Sequence, residues 1–311
     1  MKKTIIAIVG PTAVGKTSLS LEVANRFNGE VISGDSMQVY QGLDIGTAKV
    51  TEEERENIPH YMIDIKNPAE SFSVADYQSY VQHYIEKIDS RGKLPVIAGG
   101  SGLYIQAALY NYQFSDKKRD PELTGQLEKK LEEQGSGVLY EQLKQVDPEQ
   151  AAKIHPNNHR RLIRALEVYE STGKTMTEFQ RTQRNHSPYN PIFIGLEMDR
   201  ERLYQRINKR IDEMLAKGLV EEAKSLYDQG YENYQAMRGI GYKEFIPYFK
   251  GEQPFNETVQ LLKRNSRRYA KRQYTWFKNK MDVNWYTVSP EHASGVFENI
   301  LADLAGMLQK I

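Results

Sequence analysis

The chain of 311 residues contains no cysteine, which removes disulfides, thiolate nucleophiles and cysteine-ligated metal centres from consideration. It also lacks any long hydrophobic run. Met1-Lys2-Lys3 followed by apolar residues imitates the start of a signal peptide, but the run ends at Val9. That is far short of the ~20 apolar residues needed to span a bilayer, so a cytoplasmic protein without membrane association is expected. Charge of one sign is missing too: the net charge is +1, and no global basicity announces a polyanionic partner. The six histidines are scattered. His155 and His159 stand a helical turn apart, but without the acidic partner a zinc site needs. Internal repeats and low-complexity tracts are absent. With 39% hydrophobic and 27% charged residues, the chain reads as one large α/β domain plus a smaller one.

What is present is more telling. Gly10-Pro11-Thr12-Ala13-Val14-Gly15-Lys16-Thr17 fits the phosphate-loop pattern G-x-x-x-x-G-K-[ST] at every required position. Thr4–Val9 before it reads as a buried strand, and Ser18–Ala24 after it as a helix. The glycines let backbone N–H groups turn inward on a phosphate, and the helix N-terminus adds its dipole. Lys16 supplies a point charge, and Thr17 offers a hydroxyl to Mg²⁺. The loop does not say which phosphates it holds.

Glu30–Ser33 is predicted as a second strand, ending at Gly34-Asp35, and Leu94–Ala98 as another, ending in Gly99-Gly100-Ser101-Gly102. Strands alternating with helices imply a parallel sheet, whose carboxyl ends line the ligand crevice. Asp35 and Ser101 are therefore placed beside the loop by topology. From about Ser115 to Pro188 strand signals vanish. Leu123, Leu127 and Leu131, then Leu139, Leu143 and Val146, mark helices; Asp147-Pro148 opens a short one. Asn158 can cap a helix over Arg160 to Ser171 with Gly173 as its stop. The flanks Ser115-Asp116-Lys117-Lys118 and Asn185-His186-Ser187-Pro188 read as linkers. The expected division is a core of residues 1–114 and 189–311 around an all-helical insertion over 115–188. Ile192–Leu196 resumes the sheet, and Arg200–Gln229 and Phe255–Lys280 are predicted helices.

Asp35 suits a general base or Mg²⁺ ligand facing the phosphates; otherwise it is a turn former. Gln38 could pair with a base edge or be an ordinary surface residue. Arg202, Arg206 and Arg210 share one helix face, as lid arginines over phosphates or as a solvated stripe. From Lys263 to Lys280 there are eight Lys or Arg and no acid, interleaved with Tyr269, Tyr274, Trp276 and Phe277. That mixture suits nucleic acid; the plainer reading is an amphipathic helix with its rings in the core. Asn279-Lys280-Met281-Asp282 and Asp89-Ser90-Arg91-Gly92 match guanine-nucleotide patterns, but neither follows an apolar strand. A regulatory switch is disfavoured, which leaves a small-molecule kinase or a transferase acting on a nucleic-acid base.

Several segments, in order along the chain, resemble the tRNA dimethylallyltransferases (IPP transferases): the loop itself, Gly34–Tyr40, Asp44-Ile45-Gly46-Thr47-Ala48-Lys49, Pro59-His60, Ala98–Tyr104, Arg161–Val168 and Arg238-Gly239-Ile240-Gly241-Tyr242. The family often has Ser where Val14 stands and Thr where Ser101 stands. The resemblance implies a P-loop NTPase-like α/β core with a parallel sheet flanked by helices. It also implies an all-helical insertion that grips the tRNA anticodon stem-loop. The activity implied is transfer of a dimethylallyl group from dimethylallyl diphosphate to N6 of the adenosine just 3′ of the anticodon, in tRNAs reading U-initial codons. Asp35, Lys16, Thr17 and Arg210 would be catalytic, Gly10 through Thr17 would hold the diphosphate, and Thr17 would touch Mg²⁺. RNA contacts would come from Asp35, Ser36, Met37, Gln38 and Ser101. Arg160, Arg161, Leu162, Ile163 and Arg164 would add others, as would Arg238, Gly239, Ile240, Gly241, Tyr242 and Lys243. A monomer is expected.

Overall fold

The computed structural model describes residues 2–114, 120–182 and 186–310. The predicted linker Ser115–Lys118, and Asn185 of the other, lie outside them. The chain separates into two compact units, Met1–Tyr110 with Ser187–Ile311, and Asn111–His186, so the insertion begins a few residues earlier than 115.

The core opens with β1 (Thr4–Val9), α1 (Lys16–Arg26), β2 (Gly29–Ser33), the two-residue β3 (His60–Tyr61), α2 (Val74–Asp89), β4 (Leu94–Gly99) and α3 (Gly102–Tyr110). The insertion follows as α4 (Pro121–Gln134), α5 (Ser136–Val146), α6 (Pro148–Ala151), α7 (His159–Thr172) and α8 (Met176–Thr182). The core resumes with β5 (Asn190–Glu197), α9 (Arg200–Ala216), α10 (Leu219–Asp228), α11 (Ile246–Phe249), α12 (Phe255–Lys280), β6 (Asn284–Thr287) and α13 (Ala293–Leu308).

The six strands form one all-parallel sheet in the order β3-β2-β4-β1-β5-β6. Ile5, Ile6, Ala7, Ile8 and Val9 are all fully buried, because a parallel strand is covered on both faces and needs no polar alternation. Val9 pairs with Gly99 on one side and Gly195 on the other, so β1 and β4 end level while β5 runs on to Glu197. Chain order reverses direction across the sheet at β1, which puts the crevice at the phosphate loop.

The insertion has its own core of Leu127, Leu139, Leu143, Ile154, Leu162 and Leu166. Asn158 caps α7 by accepting the Arg161 N–H, and Gly173 ends it at φ 71°.

The single helix predicted over Arg200–Gln229 is two. Gly218, at φ 100°, breaks it and starts α10. A left-handed residue cannot continue an α-helix. The short strands β3 and β6 carried no readable pattern of their own. They exist because β2 and β5 offer them edges.

Candidate active site

The loop between β1 and α1 is a ready anion site. Gly10 adopts φ 141°, and a Cβ there would stand 2.5 Å from the Leu196 carbonyl oxygen, so only glycine lets the loop leave the sheet here. The start of α1 has no side-chain cap and no acid in its first turn, which leaves its N–H groups to an outside acceptor. Lys16 Nζ donates to the Pro11 carbonyl at 2.6 Å across the loop. Burial lowers the Lys16 ammonium to about 7, helped by the Arg210 charge and opposed by Asp35.

Two cavities adjoin here. The larger, about 710 Å³, is lined by Gly15, Lys16, Thr17, Asp44, Ile45, Ala48, Lys49 and Arg206 among others. The smaller, about 310 Å³, is lined by Asp35, Ser36, Met37, Gly46, Thr47, Arg238, Gly239, Ile240, Gly241, Lys243 and Tyr269, with an apolar wall of Ile207, Ile211, Met214, Leu219 and Leu262. Ala13, Arg210 and Met214 border both. The lysine and the carboxylate thus serve neighbouring chambers.

Asp35 accepts the Met37 N–H at 2.8 Å. Burial raises its carboxyl above the ordinary range, against the pull of the Met37 N–H, Lys16, the Gln38 N–H and Arg210. Burial likewise pulls Arg210 down, while Asp35 and Arg206 act on it in opposite directions. On the same face Arg206 Nε donates to the Ala13 carbonyl at 2.9 Å, which clamps the loop. Arg202 instead pairs with Glu291 at 3.1 Å, so two of the three arginines face the site.

Ser101 Oγ accepts the Ser36 N–H at 3.1 Å and ties the β4 turn to the Asp35 turn. Gln38 accepts from Ser33 Oγ at 2.7 Å and donates to the Thr47 carbonyl at 3.1 Å. Its amide is committed to the protein, and reading a base edge would require breaking these bonds. Tyr242, expected at the RNA surface, is fully buried, and its hydroxyl donates to Glu222 at 2.7 Å. Leu162 and Ile163 are likewise buried on the inner face of α7. The side chains of these three serve packing. The arginines between them divide: Arg160 and Arg161 are exposed, and Arg164 pairs with Glu167 at 3.4 Å. Three of the rings of α12 also pack inward. Phe277 is fully buried, Tyr274 meets Trp285 edge-on, and Trp276 lies against Gly102. Its cations Arg264, Arg268, Lys271 and Arg272 stay exposed.

Glu222 belongs to no motif, so its role is not legible in the sequence. Its carboxylate accepts the N–H groups of Asp44, Ile45 and Gly46 at 2.9, 2.7 and 2.9 Å. Tyr242 then closes over Gly46, where a Cβ would meet the ring at 2.5 Å. Asp44–Lys49 and Arg238–Tyr242, distant in sequence, are locked together by one carboxylate and one ring. The result is a shared wall of both cavities.

No cluster of three His, Cys, Asp or Glu that could hold a metal exists among the described residues. Thr17 is exposed at the start of α1 and lines the larger cavity. No helix among the described residues is long and apolar enough to cross a membrane.

Known proteins agree with this geometry. A family model described as IPP transferase matches residues 38–280, starting past the phosphate loop. A protein of Oceanobacillus iheyensis named tRNA dimethylallyltransferase is 60% identical over 310 residues, covering 100% of this chain and 99% of the relative. The crystal structure of the full-length tRNA isopentenylpyrophosphate transferase of Bacillus halodurans matches with a TM-score of 0.75 at 48% identity, covering 100% and 98% of the two chains. A eukaryotic dimethylallyltransferase acting on tRNA matches with a TM-score of 0.80 at 34% identity, over 93% of this chain and 74% of its own. The phosphate loop, the carboxylate facing it and these likenesses converge: the chain is a member of the IPP transferase family.

Proposed function

We propose that this protein transfers a dimethylallyl group from dimethylallyl diphosphate to N6 of the adenosine just 3′ of the anticodon in tRNA. The observation that carries this reading is Asp35 in a partly apolar cavity that meets the phosphate-loop cleft at Arg210. The exocyclic amine of adenine is a weak nucleophile because its lone pair is delocalised into the ring. Asp35 accepts its proton as N6 bonds to the allylic carbon and the carbon–oxygen bond breaks. Diphosphate leaves with the electron pair. Lys16, Arg210 and the loop N–H groups meet the charge that grows on it. Mg²⁺, held by Thr17 and the diphosphate itself, would add further charge neutralisation when bound. The adenine must leave its stack to reach Asp35. Arg160, Arg161, Arg238, Lys243 and the exposed cations of α12 offer phosphate contacts for the RNA. Incubation with labelled dimethylallyl diphosphate, Mg²⁺ and unmodified tRNA should label the RNA and release diphosphate. Label that stays in the donor, with phosphorylation of a small molecule by ATP instead, would overturn the reading.

Two smaller effects follow from the site. The profile of kcat/KM for the donor should be bell-shaped. The acid limb is protonation of Asp35, above the ordinary carboxylate range; the alkaline limb is loss of the Lys16 ammonium as pH rises through about 7. Lys16→Arg, which stays charged, should move the alkaline limb upward and leave the acid limb in place. Glu222→Gln should lower kcat/KM for both substrates about tenfold, because an amide cannot accept from all the N–H groups and the phenol that now meet there. Steady-state kinetics varying each substrate in turn would show it. A loss confined to one substrate would rule out the shared wall.

A further inference from the structure

Helix α12 reaches the phosphate loop through one buried side chain. Gln273 is 5% exposed. Its Oε1 accepts the Thr12 backbone N–H at 2.9 Å, and its Nε2 donates to the Gly100 carbonyl at 3.0 Å. Only one orientation of the carboxamide satisfies both partners. The fit is close, since a Cβ on Gly100 would stand 1.9 Å from Gln273 Nε2. One turn earlier, Tyr269 lines the smaller cavity. A single amide therefore joins the turn after β1 to the turn after β4.

Thr12 belongs to the phosphate loop, and its N–H faces Gln273. The loop is thus shaped at this point by the fold and does not depend on an anion to hold it. A loop ordered in advance binds its ligand without a further ordering cost. We propose that Gln273 is a positioning residue for the donor diphosphate: it fixes Thr12 against Gly100, so that the remaining loop N–H groups, Lys16 and Thr17 converge on one place. The proposal rests on reading Gly10–Thr17 as a diphosphate cradle. A strut that served stability alone would lower the melting temperature and leave donor binding untouched.

The test is Gln273→Met, which keeps the length of the side chain but satisfies neither partner. Gly100→Ala displaces the amide from the other side. Binding of Mg²⁺–diphosphate by calorimetry, donor KM and kcat, tRNA retention on filters and thermal melting would be compared with the wild type and Lys16→Ala. In both new variants, diphosphate affinity and donor kcat/KM should fall about tenfold or more, because two buried backbone groups lose their partner and the loop loosens. tRNA affinity should stay within about twofold, since no RNA-facing cation is touched. Donor kinetics and diphosphate affinity at wild-type values in folded Gln273→Met would overturn the proposal, whatever its melting temperature. Should that variant not fold, the same result in Gly100→Ala would do so. If the wild type and Lys16→Ala bind diphosphate equally, the cradle reading fails and this proposal with it. Wild-type binding that Lys16→Ala weakens and the two variants retain removes Gln273 alone.

Discussion

Asp35→Asn should slow dimethylallyl transfer about 10³-fold while tRNA affinity and donor KM change by no more than a few-fold. The asparagine is isosteric, and its Oδ1 can still accept the Met37 N–H that now holds the carboxylate at 2.8 Å. The turn from Gly34 to Gln38 therefore keeps its shape, as does the Ser36–Ser101 contact behind it. What is lost is a proton acceptor. Burial lifts the carboxyl above its usual range and makes it a better base near neutrality, while Lys16 and Arg210 keep it from rising further. Single-turnover kinetics with saturating tRNA and donor would isolate the step, and equilibrium tRNA binding would serve as the control. Turnover within a few-fold of wild type would remove Asp35 as the base. A parallel collapse of tRNA affinity would recast it as a binding residue.

Lys16→Ala should cost about 10²–10³-fold in donor kcat/KM, with weaker diphosphate binding and unaltered tRNA affinity. The ammonium is held at the loop among N–H groups that carry only partial charges, and Arg210 approaches from α9. Removing it leaves the charge growing on the departing diphosphate to Arg210 and the helix N-terminus. The loss should appear in both KM and kcat, because the donor already carries most of that charge before the bond breaks. Calorimetric titration of diphosphate and steady-state kinetics in the donor are the measurements. Unchanged diphosphate affinity would sink the leaving-group assignment, since no other lysine of the loop could replace it.

Much of the core was legible in the chain, because local signals and tertiary context agree there. Thr4–Val9 is uniformly apolar since it ends up covered on both faces, and Phe255–Lys280 keeps a helical period over its whole length. Gly218 was the exception: one left-handed glycine inside a periodic segment splits α9 from α10, and periodicity alone does not see it. The site was legible as far as its motifs reach. Glu222 and Gln273 were not, because each acts on backbone far away in sequence, and a lone Glu or Gln on a helix carries no pattern. Tyr242, Leu162 and Ile163 stand beside cations in their motifs, and that neighbourhood hid their burial.

The sequence by itself determined the phosphate loop, the strand–loop–helix that presents it, and Asp35 at the end of a strand, because each is encoded within a few contiguous residues. Tertiary structure alone decided which cations face the site. Arg206 and Arg210 point at the loop, while Arg202, on the same helical stripe, is turned to Glu291. It also decided that the wall of both cavities hangs on one carboxylate and that the loop is braced by one amide. Hydrogen bonds between segments 160 or more residues apart, such as Thr12 to Gln273, leave no periodicity in the chain; they are set by how the sheet and helices pack.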